Sequence, residues 1–178
     1  MRISDTPLQG ALLLELERIA DERGFFARTF CVDELAARGM RFEVVQCNVS
    51  SNLRRGTLRG MHFQRPPHAE GKIVSCFAGS LLDVIVDLRP ASPSYRRWHA
   101  VELSAENRLA LAIPPGFAHG FQTLEDNTDV QYLMSSRYLA GAADGVRWTD
   151  PAFGILWPIE RPILSARDAA YADFGSGR

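Results

Sequence analysis

The sequence predicts an all-β fold, a sandwich or barrel with little helix. Short apolar or alternating runs recur along it, each bounded by Gly, Pro, Asn, Asp or Ser, at the roughly 8–12-residue spacing of such folds. The clearest lies at 81–88, where Leu82, Val84, Val86 and Leu88 share one parity while Asp83, Ile85 and Asp87 take the other, as in a strand with one buried face. Hydrophobic side chains make up 46% of 178 residues, enough for one substantial core, so a single domain over 1–178 is expected.

In chain order, strands are expected at 11–17, 25–30, 42–49, 57–63, 72–77, 80–88, 97–103, 109–113, 116–123 and 128–135. Only 32–39 reads as a helix, with Asp33 as its N-cap and Gly39 as its stop. Pro114, Pro115 and Gly116 precede an apolar strand carrying His119, which suits a tight turn feeding a barrel strand whose inner face meets a ligand. Beyond Ser135 the chain becomes richer in Gly, Ala and Pro, yet "DPAFGILWPIERPIL" holds enough aromatic and aliphatic side chains to pack back on the barrel.

Twenty basic and twenty-one acidic side chains leave a net charge of -1, which argues against a general affinity for nucleic acid or an anionic membrane. Cys31, Cys47 and Cys76 follow no metal-ligand spacing and fit a reducing compartment. The first residues carry no basic-then-apolar leader, and no run approaches the ~18 apolar residues of a membrane span. A cytoplasmic protein is expected.

The stretch "RGMHFQRPPHAEGKI", 59–73, places His62, Glu70 and Lys72 close together in sequence. Two histidine-bearing strands resemble the cupin jelly roll, whose metal-binding members carry His-x-His with a glutamate in one motif and Pro-x-Gly-x-x-His in another. The second motif is present as Pro114, Gly116 and His119; the first is broken, because Gln64 stands where the second histidine would be. Glutamine is a poor ligand for zinc or iron, although by count His62, His119 and Glu70 still allow a three-ligand facial site. His68, in a proline-rich loop, and His99, beside Arg96 and Arg97, read as surface residues.

An acid/base site needs no metal. Abstracting a proton beside a ketone requires a base, a donor to the developing enolate oxygen and a proton donor on the opposite face. His62, Lys72, His119 and Tyr132 supply those residue types, and Asp168 is a candidate to orient the base, in competition with Asp83, Asp87 and Asp126. Arg59 and His62 have opposite parity in an unbroken strand, so both reach one cavity only if the register slips, and Gly60 is where a bulge is expected.

With these residues in place, the chain resembles the dTDP-4-dehydrorhamnose 3,5-epimerase family over nearly its whole length. The matching stretches are "DERGFFARTF", "VQCNVS", "GTLRGMHFQ", "AEGKIVSCFAG", "DVIVDLRPASPSY", "LSAENRLALAIPPGFAHGFQTLED", "VQYLMSSRY", "GVRWTDP" and "WPIERPILSARD". The resemblance implies a cupin-type jelly roll without metal or cofactor, usually a homodimer, inverting C3 and C5 of a nucleotide-linked 4-keto-6-deoxyhexose. It implies His62 as base, Asp168 as its orienting partner, Tyr132 as proton donor and Lys72 as stabiliser of the enolate oxygen. It makes Arg23, Arg59 and His119 contacts to diphosphate and sugar, Gln46 and Asn48 contacts to the nucleotide, and Phe26 and Tyr138 aromatic walls.

Two positions depart from the pattern: Arg28 stands where the family most often has glutamate, and Ala143 where an acidic residue is common. Both lie among the implied substrate contacts, so a reversed charge at Arg28 points to a change in preference for nucleotide or sugar. Two other classes compete. A metal-dependent cupin oxygenase or isomerase predicts chelator sensitivity, and a non-catalytic sugar-nucleotide binder predicts loss of the base or acid. The apolar "ALLLELERIA", 11–20, is a candidate for pairing with a partner's sheet.

Overall fold

The computed structural model describes residues 1–175. In chain order the elements are β1 (Arg2–Asp5), β2 (Leu12–Glu15), β3 (Ile19–Asp21), β4 (Gly24–Phe26), α1 (Val32–Ala37), β5 (Gln46–Asn52), β6 (Leu58–Gln64) and β7 (Lys72–Ala78). They continue with β8 (Ser80–Asp87), β9 (Trp98–Ser104), β10 (Ala110–Ile113), β11 (Phe117–Thr123), β12 (Thr128–Met134), β13 (Ala143–Gly145) and α2 (Ala166–Ala169). Two antiparallel sheets result, of order β1-β2-β10-β7-β12-β5 and β13-β6-β11-β8-β9, with β3 and β4 forming a separate hairpin. Both sheets contribute to one inner core, which joins Val74, Leu111 and Val130 of the first to Ile85, Leu103 and Phe121 of the second. This is the expected all-β jelly roll.

Each sheet also buries its outer face. Leu35 of α1, Met40 and Phe42 cover Leu12, Leu14, Ile73 and Ala110. A helix of six residues is too short to persist alone, so the fully buried Leu35 holds it in place. On the second sheet Val146, Phe153 and Ile155 lie over Met61, Val84, Val86 and Ala118, so the tail does pack back on the barrel.

Several expectations need correction. Strand β8 is buried on both faces, not one: the even residues meet the returning tail and the odd ones face the interior, where Asp83 and Asp87 find polar partners. Cys31, not Asp33, occupies the N-cap of α1, and Asp33 lies in its first turn. The strand expected at 42–49 begins only at Gln46, because Phe42 is drawn under α1. Within the segment 11–20, β2 is paired on both sides by β1 and β10, whereas Ile19 and Ala20 belong to β3, which pairs only with β4. His68 is exposed as expected, but His99 is half-buried opposite Ile85.

The slip at Gly60 is present. His62 pairs with His119 and Arg59 with Phe121, so three steps along β6 match two along β11. His119 and Phe121 share a face, and the extra residue therefore brings both Arg59 and His62 to the barrel interior. Gly60 has φ 152 and a Cβ there would lie 2.6 Å from Gly120 Cα. Gly60→Ala is expected to destabilise the fold by about 2–4 kcal/mol, read as a lower midpoint in urea.

Candidate active site

The inner face of the six-stranded sheet is read directly from register. Met134 pairs with Gln46 on one side and Lys72 on the other, and Tyr132 with Asn48 and Val74, so Gln46, Asn48, Lys72, Tyr132 and Met134 point the same way. The facing sheet presents Arg59 and His62 from β6, His119 from β11 and Asp83 from β8. Between the sheets opens a cavity of about 210 Å³, lined among others by Gln46, Asn48, His62, Lys72 and Tyr138.

His62 Nε2 lies 2.7 Å from Asp168 Oδ1. Asp168 sits in α2, whose N-cap Ser165 accepts the Asp168 backbone N–H at 3.1 Å. Burial pushes the Asp168 carboxyl up, but hydrogen bonds from His62, the Gly60 backbone and Ser165 outweigh it and hold it below the usual carboxylate range. An anion that accepts from Nε2 fixes the imidazole tautomer and leaves Nδ1 free to take a proton. The Tyr171 ring meets the imidazole edge-on at 5.9 Å.

A second histidine–carboxylate pair lies deeper. His119 Nε2 is 2.7 Å from Asp83 Oδ1, with side chains 4% and 0% exposed, and the Tyr132 ring meets His119 edge-on. Burial and the Asp83 charge push the Tyr132 hydroxyl well above the ordinary phenol range, against the Arg59 charge. It therefore stays protonated and available as an acid. Lys72 is buried and bonded to the Glu70 carboxylate.

Glutamine at 64 is explained by its bonds. Gln64 Nε2 donates to His68 O and Arg137 O, and Oε1 accepts the Leu139 N–H at 2.7 Å. A histidine could not make those three bonds, which hold the loop carrying Tyr138. His62 and His119 are each committed to a carboxylate and Glu70 to Lys72. Among the described residues no three His, Cys, Asp or Glu side chains come together to hold a metal.

Comparison with known proteins settles the relationship. The sequence profile described as dTDP-4-dehydrorhamnose 3,5-epimerase matches residues 5–176. The chain belongs to this epimerase family. It is 42% identical over 174 residues to the dTDP-4-dehydrorhamnose 3,5-epimerase of Salmonella typhimurium, covering 96% of this chain and 93% of that protein. It is 37% identical to a dTDP-4-dehydrorhamnose 3-epimerase of Streptomyces niveus, covering 94% and 81%. The crystal structure of the Bacillus anthracis dTDP-4-dehydrorhamnose 3,5-epimerase, with TDP and PPi bound, superposes with a TM-score of 0.94 at 40% identity, covering 97% and 99%.

Of the residues that the family pattern singles out, His62, Lys72, Gln46, Asn48 and Tyr138 line the cavity, Asp168 adjoins it through His62 and Tyr132 through its strand neighbour Asn48, and His119 lies behind Tyr132. Arg59 lies beside them, its Nε bonded to Asn52 Oδ1 at 2.8 Å. Arg23, Phe26 and Arg28 do not line this cavity: the first two stand exposed on the β3–β4 hairpin, and Arg23 is paired with Asp21 at 2.5 Å. Arg28 binds Glu34 at 2.6 Å, a carboxylate that it shares with the N-terminal ammonium. The sequence reading missed Asp144 and Arg167, which line the cavity, Asn52, which holds Arg59, and the pairing of Asp83 with His119.

Proposed function

We propose that the chain is an epimerase acting at C3 and C5 of a dTDP-linked 4-keto-6-deoxyhexose, converting dTDP-4-dehydro-6-deoxy-D-glucose to dTDP-4-dehydro-L-rhamnose. The observation that carries this reading is the His62–Asp168 pair set on a cavity that Lys72 also lines. His62 Nδ1 takes the C3 proton, the Lys72 ammonium meets the charge that gathers on the C4 oxygen, and Tyr132 returns a proton to the opposite face. The C5 proton, also beside the C4 ketone, is exchanged in the same way. The pairing of Lys72 with Glu70 and the bonds of Gln64 favour this chemistry over the metal-dependent one, and the acid/base set as a whole favours it over simple binding.

The test is proton NMR of dTDP-4-keto-6-deoxyglucose with chelator-treated protein in deuterium oxide. Deuterium at both C3 and C5 supports the reading, and deuterium at C3 alone reassigns the chain to the 3-epimerase chemistry named for the Streptomyces niveus relative. No exchange overturns it.

Arg59 is the cation we assign to the diphosphate, because Asn52 aims its guanidinium from the neighbouring strand end. Arg59→Ala is expected to raise KM about tenfold or more with less effect on turnover, and the difference from wild type should shrink in high salt. An unchanged KM would move the phosphate site elsewhere.

The homodimer belongs to the same proposal. Ile19 and Phe26 on the β3–β4 hairpin are 71% and 72% exposed, an apolar surface that a second copy would cover. Arg23 and Phe26 lie on that hairpin, outside their own chain's cavity. Among the described residues no helix is long and apolar enough to cross a membrane, and the free thiols of Cys31, Cys47 and Cys76 support a cytoplasmic setting.

A further inference from the structure

Lys72 and Glu70 form a buried ion pair, their side chains 8% and 5% exposed. One Glu70 oxygen accepts from Lys72 Nζ and the other from the Gln64 backbone N–H at 3.0 Å. The carboxylate thus bridges the end of β6 to the start of β7 and lines the same cavity as His62.

An ammonium removed from water tends to lose its proton, because a low-dielectric site disfavours the charged form. Burial does push Lys72 below the ordinary lysine range, and Glu70 is the first charge opposing it, followed by Asp83. The other ionisable groups around the cavity are Arg59 and His62 from β6, Asp168 behind His62, Tyr132 from β12, His119 from β11, Tyr138, Asp144 and Arg167. Asp83 is already bonded to His119. Among the described residues Glu70 is therefore the carboxylate bonded to the lysine.

We infer that Glu70 is a positioning residue that keeps Lys72 in its ammonium form and aimed at the substrate's C4 oxygen. The inference rests on the reading of Lys72 as the enolate stabiliser. Glu70 acts through Lys72 and the strand end, without touching the reacting atoms. A neutral amine at that place would leave the enolate charge unmatched.

Glu70→Gln keeps the shape and one acceptor but removes the charge. Its kcat is expected to fall about tenfold or more at pH 9 and to recover as pH is lowered, with KM little changed. The sign follows from the charge: without Glu70 the lysine holds its proton only at lower pH, so the alkaline limb of the kcat profile moves down. Tyr132 cannot produce that limb, since its environment pushes it in the opposite direction.

Glu70→Asp should restore the wild-type limb at reduced turnover. A folded Glu70→Gln whose profile has the wild-type shape overturns the inference. Lys72→Met separates the two claims: an inactive Lys72→Met beside an unperturbed Glu70→Gln removes only the role of Glu70, whereas an active Lys72→Met removes the premise as well. Should Glu70→Gln fail to fold, the wild-type protein with 13C-labelled lysine still decides. The Lys72 ε-carbon should show the ammonium shift at pH 8, and a neutral amine there contradicts the inference.

Discussion

Replacing His62 by alanine is expected to abolish solvent exchange at both C3 and C5, lowering turnover by about 10³-fold or more, because the proposed mechanism assigns the base to this side chain. The imidazole is half-buried on β6, oriented from behind by Asp168, with Nδ1 left for the substrate. Asp168 is held below the usual carboxylate range, so it stays an anion through the pH range in which the reaction is assayed. Asp168→Asn should therefore cost about 10²–10⁴-fold. The amide can donate to Nε2 and so stabilise the tautomer whose lone pair points away from the substrate. Deuterium uptake followed by NMR reads both variants. Near-normal exchange in His62→Ala would remove it as the base, and a His62→Ala deficit confined to one centre would mean that the second centre uses a different group.

How far the sequence reveals this site depends on the range of the interactions. Strands with a sustained apolar run bounded by turn residues, such as β7, β8 and β11, are legible because they are largely buried on both faces. The bulge in β6 is legible too, since Arg59 and His62 belong to one site only if Gly60 breaks the parity. Strands β1, β3 and β13 span three or four residues, too few for any period to emerge. Helix α2 is equally short, but Ser165 three residues before Asp168 carries the capping signal that the structure realises.

The pairings are another matter. Asp83 and Asp168 are both aspartates near the catalytic strands, and nothing local says which histidine each will meet; the partners are 36 and 106 residues away in sequence. The pairing of β11 with β8 in one sheet assigns Asp83 to His119, and the return of α2 to β6 assigns Asp168 to His62. Glu70 and Lys72, two residues apart, look like an exposed charge pair until the barrel closes over them. The family resemblance singles out Asp168 among the competing aspartates because it encodes such long-range outcomes, whereas it leaves Glu70 and Asp83 without a role.

Replacement of Tyr132 by phenylalanine should separate proton removal from inversion. Epimerisation needs a proton to leave one face of the sugar and another to arrive at the other. In the proposed mechanism the two faces are served by His62, on β6 of one sheet, and Tyr132, on β12 of the facing sheet. Removing the hydroxyl leaves His62, Asp168 and Lys72 in place, so the enolate still forms and collapses by taking a solvent-derived deuteron back from the imidazole. The expected result is substrate labelled at the exchanging carbons with its configuration retained, while product formation falls by about 10²–10³-fold. The phenol's raised pKa fits this role from the other side: as a buried group beside Asp83 it is costly to ionise, so any tyrosinate formed by donation quickly recovers a proton. Arg59 acts on Tyr132 in the opposite sense and lowers that cost. Equal loss of exchange and inversion would contradict a separate acid, and a rise in KM at unchanged turnover would make Tyr132 a wall of the cavity instead of a donor.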